Sequence, residues 1–289
     1  MVKSVAAIMF VASVSVMTAF ALSSPGWFAL HPPGPAEVHS ITPTRGNSSG
    51  LCVDPANGDI WDIIDNGNLI HLSDTGSVLR VVKIAWPSTG VPEPSAGGME
   101  AVAIHAPGQF SILAEGASQN GVFQPPRIAR FSLGPAQTTV AYADLDIHRL
   151  SEIDRNCESM DFDVTTGAYV ILPEKFRIGT PGMWRHEWAT ETTTVAWNYA
   201  GTAVNPTTSD CKLVTWPSGG QSLFLLRGSS DPAQRTIEQR DATTGVVENS
   251  VLHDATAVPE GLAFAPGMLK MYVAQEAKVG NFIRWELAP

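Results

Sequence analysis

The chain of 289 residues has little cysteine, few basic side chains and a low charged fraction of 16%. Its three cysteines, Cys52, Cys157 and Cys211, are too few for a disulfide scaffold, and a single bridge between Cys157 and Cys211 stays open. Lys and Arg number 18 against 28 Asp and Glu, so the formal charge of −10 repels phosphate backbones. We therefore expect no nucleic-acid partner, whereas cations and basic ligands suit this chain.

Several motifs of known chemistry are also missing. The seven histidines form no H-E-x-x-H or H-x-H cluster, and no glycine-rich loop precedes a helix. Neither a zinc site of standard spacing nor a nucleotide cofactor is therefore indicated. The segment from Gly46 to Gly50 matches G-x-S-x-G, but it leads into a strand, whereas a nucleophile elbow leads into a helix. The sequence therefore predicts no particular catalytic residue.

The long apolar run of the sequence lies at its N-terminus. Residues 1–22 combine a short basic start, an apolar stretch and Ala19-Phe20-Ala21, as in a signal peptide, and an N-terminal anchor is the alternative. Residues 23–35 contain Pro and Gly and are interpreted as a linker before a domain at 36–289. We expect a secreted or periplasmic protein, held at the membrane only if the N-terminus is retained. No second run of this length occurs, so we expect no membrane span in the domain. We also expect the domain to be a monomer.

A pattern of about fifty residues recurs five times after the linker. Each copy has a polar residue, a short apolar strand, a turn, a second apolar strand and a polar end. The copies start at Ser49, Glu100, Glu158, Asp210 and Glu260, at intervals of 51, 58, 52 and 50 residues. No window after residue 35 keeps the 3.6-residue period of a helix.

Each copy continues with further strands, which predicts an all-β fold of four-stranded antiparallel units. Such units of about fifty residues are typical of the blades of a β-propeller. We expect the segment Thr138 to Tyr142 to be the last strand of the second unit. The fifth unit has room for three strands, and Ala36 to Thr42 can supply the fourth and close the ring. Five blades are favoured, and six remain possible if the interval of 58 residues hides another.

Chain direction gathers the polar ends of these units. The inner strand of a blade runs one way and the next strand returns, so the start of one and the end of the other share a face. The inner strands start at the five residues named above, and the second strands end at Asp65, Glu115, Glu174, Arg227 and Glu276. Eight of these ten residues are carboxylates, which predicts an acidic ring at one mouth of the tunnel.

Crowded carboxylates repel one another, and burial adds to the cost of ionisation. A hard cation removes that cost, and Ca²⁺ accepts six to eight oxygens in flexible geometry. We therefore predict a Ca²⁺ site whose candidate ligands are Asp65, Glu100, Glu115, Glu158, Glu174, Glu260 and Glu276. The alternative is that these acids form structural ion pairs or accept backbone N–H groups. A small-molecule or protein ligand would bind over the ion.

Five stretches of the sequence resemble the SdiA-regulated and phytase-like group of propellers. They are Ser49 to Trp61, Asp65-Asn-Gly-Asn-Leu, Asp74-Thr-Gly-Ser-Val-Leu-Arg, Cys157-Glu-Ser-Met-Asp-Phe-Asp and Pro259-Glu-Gly-Leu-Ala-Phe. The resemblance implies an exported, metal-associated propeller, with esterase or phosphoesterase activity in part of the group. Glu260-Gly261 keeps the Glu-Gly motif of the group, whereas Glu100 and Glu158 keep only the acid. The alternatives are thus a metal-dependent hydrolase and an envelope interaction scaffold without a tunnel site.

Overall fold

The computed structural model describes residues 27–42, 47–86, 98–119, 121–200, 207–228, 231, 234–253, 257–276 and 281–289. Within them the apolar strands form five antiparallel sheets arranged as the blades of a β-propeller. Tight turns join the strands, and Gly58 and Gly67 adopt φ values of 80° and 81° that favour glycine. The prediction of an all-β propeller with five blades is confirmed, and six blades are not formed.

The blades follow one another along the chain, and each is given from its inner strand outward. Blade 1 contains Ser48–Val53, Ile60–Ile64, Asn68–Leu72 and Val78–Ile84. Blade 2 contains Met99–Ala106, Gln109–Ala114, Arg127–Ser132 and Asp146–Arg149. Blade 3 contains Cys157–Asp163, Ala168–Pro173, Pro181–Glu187 and Thr192–Asn198. Blade 4 contains Asp210–Thr215, Gln221–Arg227, Thr236–Asp241 and Val247–Leu252.

Blade 5 joins the two ends of the chain. Its first three strands are Pro259–Phe264, Lys270–Gln275 and Phe282–Glu286, and its outer strand is Glu37–His39. The outer strand pairs antiparallel with its neighbour, with Glu37 opposite Arg284 and His39 opposite Phe282. The predicted closure of the last blade by the N-terminal segment is therefore confirmed.

The longer second repeat differs from its prediction. The segment expected as the outer strand of blade 2 instead forms Thr139–Val140, which pairs in parallel with the outer strand of blade 1. Val140 is fully buried there, so burial of this side chain between blades 1 and 2 explains the different partner. The extra length also forms a hairpin of Ala117–Gln119 and Val122–Gln124 and a 3₁₀ turn at Tyr142–Asp144. A further 3₁₀ turn, Trp188–Thr190, joins two strands of blade 3.

Five apolar clusters in the described residues form the core, one at each interface between neighbouring blades. Burial of these side chains supplies the main favourable free energy of such a fold. Cys52 lies between blades 1 and 2, Cys157 between blades 2 and 3, and Cys211 between blades 3 and 4. All three thiols are free, and the possible Cys157–Cys211 bridge is not formed because the two residues belong to different interfaces.

The N-terminal segment packs on the propeller from Trp27 onward. The short helix Trp27–Leu30 buries Phe28 against the core between blades 4 and 5, and the Gly34 amide donates to the Glu286 carbonyl over 2.8 Å. This part of the predicted linker at 23–35 is therefore in contact with the domain. The predicted signal segment 1–22 lies outside the described residues. In the part of the chain that is described, no helix is long and apolar enough to cross a membrane.

Two glycines let the inner strands approach each other around the tunnel. A Cβ on Gly50 would lie 2.9 Å from the Ala101 Cα and 2.9 Å from the Glu100 carbonyl oxygen. A Cβ on Gly261 would lie 2.8 Å from Leu51 Cγ and 3.0 Å from the Leu51 amide nitrogen. Blades 1, 2 and 5 are thus packed so closely at the axis that only glycine fits at these two positions.

This packing predicts a stability difference between two alanine substitutions. Gly50→Ala should lower the free energy of unfolding by about 1–3 kcal/mol, because backbone of blade 2 must move to admit the methyl group. Gly134→Ala is the control, since its nearest neighbour would be the Gln137 Oε1 at 3.7 Å. Urea unfolding of both variants measures the difference, and equal midpoints would contradict the close approach.

Candidate functional site

The starts of the inner strands carry a repeated irregularity that turns side chains toward the tunnel mouth. In blades 1, 2, 3 and 5 the strand register shifts by one residue at the same place. The residues that the shifts leave unpaired are Ser49, Glu100, Glu158 and Glu260. A β-bulge of this kind bends the strand and redirects the bulged side chain. Four blades therefore present the predicted first ring of residues on one face.

The second ring of residues is fixed by backbone hydrogen bonds. The Glu115 amide donates to the Gly98 carbonyl over 3.2 Å, the Glu174 amide to the Asn156 carbonyl over 3.1 Å, and the Glu276 amide to the Val258 carbonyl over 2.8 Å. Each acceptor lies just before the inner strand of the same blade. The end of the second strand and the start of the first are thus joined in blades 2, 3 and 5, as the predicted chain directions require.

Blade 4 places neither of its two residues in the ring. Its first two strands pair without a register shift, and the Asp210 side chain is fully buried below the mouth. Arg227 is 3% exposed; its Nη1 donates to Thr208 Oγ1 over 2.8 Å and its Nε lies 3.7 Å from a Glu238 oxygen. Its guanidinium also stacks 5.0 Å from the centre of the Phe176 ring. The acidic mouth therefore consists mainly of blades 2, 3 and 5.

The carboxyl groups of this mouth interact strongly. Burial raises the pKa of Glu115 to about 7 and that of Glu260 to about 9, and in each case nearby carboxylates raise it further. Burial likewise raises the pKa of Glu100, and the next largest cause is the nearby Glu158. Burial also raises the pKa of Glu158, and there the next largest cause is Glu115. Glu100 and Glu158 each affect the pKa of the other, which favours one proton shared between the two carboxyl groups. The four half-buried glutamates cannot all be ionised at neutral pH without a large repulsion.

Few partners compensate this charge. The Glu174 carboxylate lies 2.5 Å from Lys175 Nζ, and Ser49 Oγ donates to Asp65 Oδ1 over 2.5 Å. Over the described ranges, Glu100, Glu115, Glu158 and Glu260 form no ion pair. In the described part of the chain, no group of three or more His, Cys, Asp or Glu side chains lies close enough together to hold a metal ion. Side-chain rotation would therefore have to precede coordination.

Below the mouth, a group of three charged residues closes the tunnel; we refer to Asp161, Asp210 and Lys212 as the tunnel triad. The Asp210 carboxylate accepts from the amide of Leu262 over 2.8 Å and from that of Leu51 over 3.3 Å. Leu51 belongs to blade 1, which is not a neighbour of blade 4, so Asp210 reaches across the axis. Lys212 Nζ lies 3.3 Å from Asp210 Oδ1. The triad therefore separates the two ends of the tunnel.

Asp161 and Lys212 were not predicted as site residues, although the sequence contains a signal for them. The residues at their positions in the other inner strands are apolar or small, as at Cys52, Ala103 and Ala263 for Asp161. Charges of opposite sign at such positions in two consecutive blades indicate a pair across the interface. The buried Asp62 was also missed; burial raises its pKa to about 8, and Ser48 Oγ donates to it over 2.6 Å.

A basic edge lies beside the acidic mouth on blade 3. A cavity of about 370 Å³ is lined by Arg155, Lys175 and Arg177 together with Asp154 and Glu174. The Arg155 Nε lies 3.0 Å from an Asp154 oxygen and the Lys175 Nζ lies 2.5 Å from a Glu174 oxygen, so two of these three cations are paired locally. Basic side chains thus border the carboxylate ring at Glu174; this cluster was not predicted from the sequence, because its residues come from two separate segments, 154–156 and 173–177.

The fold and this arrangement define the chain as a β-propeller with an acidic tunnel mouth. No family model and no curated protein matches the sequence. Among solved structures, the chain is similar to the crystal structure of the soluble aldose sugar dehydrogenase from Escherichia coli in the apo-form, with a TM-score of 0.52 and 10% identity. The match covers 88% of this chain and 99% of that one. At this identity the likeness establishes the propeller fold alone.

The raised pKa values predict that the protein without divalent cations loses stability as pH rises. Between pH 6.5 and 8.5 the unfolded glutamates are ionised, with an ordinary pKa of 4.5, whereas folded Glu158 and Glu260 still hold protons. The folded state then binds more protons, so the free energy of unfolding should fall by about 1–2 kcal/mol across this window, allowing for solvent screening.

The double variant Glu158→Gln and Glu260→Gln should flatten this slope, while Glu187→Gln, at an exposed position on the opposite face, should leave it unchanged. Thermal melting in a chelating buffer at several pH values measures it. A slope shared by the parent and the double variant would show that these two carboxyl groups do not cause it.

Proposed function

We propose that this chain is an exported propeller that binds Ca²⁺ at its acidic mouth and holds a small ligand or a partner over the ion. The observation that carries the proposal is the group of half-buried glutamates from blades 2, 3 and 5 that form no ion pair in the described residues. A divalent cation would offset their mutual repulsion, and oxygen ligands are those that Ca²⁺ prefers.

Glu100, Glu115, Glu158 and Glu260 are the first candidates for its ligands. Their pKa values are raised, so metal binding must displace protons, and affinity should increase with pH. Glu174 would first have to leave Lys175, whereas Asp65 and Glu276 lie at the exposed rim and can reach the ion only by moving inward. Export rests on the apolar residues 1–22 of the sequence.

Calcium should therefore raise the melting temperature. A concentration near one hundred times the Kd adds about 2.7 kcal/mol, which is roughly 5–10 °C for a domain of this size. Glu158→Gln and Glu260→Gln should each reduce that increment, and without calcium each should melt no lower than the parent because a neutral amide replaces a buried carboxyl group that is costly to ionise. Glu187→Gln serves as the matched control.

Differential scanning calorimetry with calcium and with a chelator provides the measurement. An unchanged midpoint for the parent would exclude a stabilising ion. If both mouth variants respond as strongly as the parent, the ion binds elsewhere.

A metal-dependent hydrolase is the second candidate, and the basic edge of blade 3 favours it. Lys175 and Arg155 stand where they could hold an anionic ester beside an ion at the mouth. The resemblance to the phytase-like group implies the same reaction class. When bound, the ion would polarise the substrate and lower the pKa of water, while Lys175 would orient the anion. The scaffold alternative expects a tunnel closed by ion pairs, which fits the tunnel triad but not the unpaired mouth.

The hydrolase predicts calcium-dependent turnover of 4-nitrophenyl acetate or 4-nitrophenyl phosphate. Lys175→Met should lower kcat/KM for the phosphate at least about tenfold, because a charge-assisted contact to the anion is lost. Lys83→Met, at an exposed position of blade 1, should have no effect. Absence of calcium-dependent turnover on both substrates would leave binding as the function of the mouth.

A further inference from the structure

The opposite end of the tunnel contains a second cavity of different character. Its volume is about 300 Å³, which lies at the lower end of the usual range for small-molecule sites. The inner strands of all five blades contribute to its lining near their carboxyl ends, with apolar walls from Val53, Ile104, Phe162, Phe264 and Met268. The acidic mouth lies at the amino ends of the same strands, and the tunnel triad stands between the two.

The floor of this cavity is charged, because Asp161 and Lys212 belong to its lining. Asp161 Oδ2 accepts from the Leu213 amide over 2.7 Å, and the residue keeps part of its surface exposed. Asp210 is not part of the lining; it is satisfied by Lys212 and by the amides of Cys211, Leu51 and Leu262. Lys212 is therefore already paired with the buried carboxylate of Asp210.

The charge of the tunnel triad is not balanced. Burial by itself disfavours the Lys212 ammonium, but Asp210 and Asp161 outweigh that effect and raise its pKa, so the lysine remains charged. Lys212 lies within ion-pair distance of Asp210, and no such contact joins it to Asp161 in the described residues, so Asp161 is the carboxyl group left over. Asp161 lines the cavity; burial raises its pKa, and a bound cation would favour its ionised form.

We propose that this cavity is a second binding site, for a small organic cation with an apolar body, whose ammonium group contacts Asp161. The apolar walls would bury the body of the ligand, and the Phe264 ring in the lining suits a cation that has lost part of its water. An anion would be repelled by Asp161 and Asp210, and the nearby cation, Lys212, is already paired with Asp210. A strongly hydrated metal ion gains little from walls that cannot replace its water.

The probes are 2-phenylethylammonium, the neutral 2-phenylethanol and the anionic 3-phenylpropionate, titrated calorimetrically into the full chain with calcium present. We expect the ammonium to bind at least about tenfold more tightly than the alcohol, and the anion not to bind. Asp161→Asn should reduce ammonium affinity about tenfold, because the charge is lost while an oxygen remains for the Leu213 amide. Equal binding of the alcohol, preferred binding of the anion or no binding by any probe would overturn the proposal.

A second pair of variants keeps the test valid if Asp161→Asn fails to fold. Val164 lines the cavity and is 71% exposed, so Val164→Lys should fold normally and weaken ammonium binding several-fold by repulsion. Val122→Lys makes the same charge change at a position that is 60% exposed in the blade 2 hairpin, and it should bind like the parent. Equal affinities of the two lysine variants would refute the assignment.

The acidic mouth is a competing site for the same cation, and one comparison distinguishes the two sites. The double variant Glu158→Gln and Glu260→Gln should retain ammonium binding in the cavity. Loss of binding in this variant but not in Asp161→Asn would move the ligand to the mouth and overturn the proposal. The calcium response of the mouth does not enter this comparison, so either proposal can fail without the other.

Discussion

Five inner strands packed around one narrow axis determine where the charged side chains of this propeller come together. The strands approach so closely that Gly50 and Gly261 have no room for a side chain. Because all five run in the same direction, their starts form one mouth and their ends form the other. The bulges at the starts then turn Glu100, Glu158 and Glu260 toward the acidic mouth. Backbone geometry thus gathers like charges that would otherwise avoid one another.

The buried carboxyl groups of the acidic mouth repel one another, whereas the buried carboxylate of Asp210 in the tunnel is stabilised by its neighbours. At the mouth, burial and neighbouring carboxylates raise the pKa of Glu158 to about 8 and that of Glu260 to about 9. Inside, Asp210 is more deeply buried but has three amide donors and Lys212, and its pKa rises only to about 6. The difference lies in the donors, since a carboxylate that accepts several N–H groups tolerates burial better than one that faces other acids.

Much of this arrangement was predictable from the repeat. The regular spacing predicted the blades, and the missing strand of the fifth unit predicted the closure by Glu37–His39. The strand directions predicted that Glu115 and Glu174 lie on one face. Pairing between blades was harder to predict, because Thr139–Val140 left its own blade to bury Val140 against blade 1. The tunnel triad was missed for a related reason: it joins residues of different repeats, whereas the repeat pattern describes each unit separately.

The outer strand of blade 5 is only three residues long, yet it connects positions 247 residues apart in sequence, as in the ion pair of Glu37 with Arg284. Contacts of such separation form late in folding, because loop-closure entropy must be overcome first. The strand also buries little of its side-chain surface, which is typical of segments that open locally before global unfolding. We therefore expect the seam between the first and last described strands to be both the last part of the ring to form and the first to open.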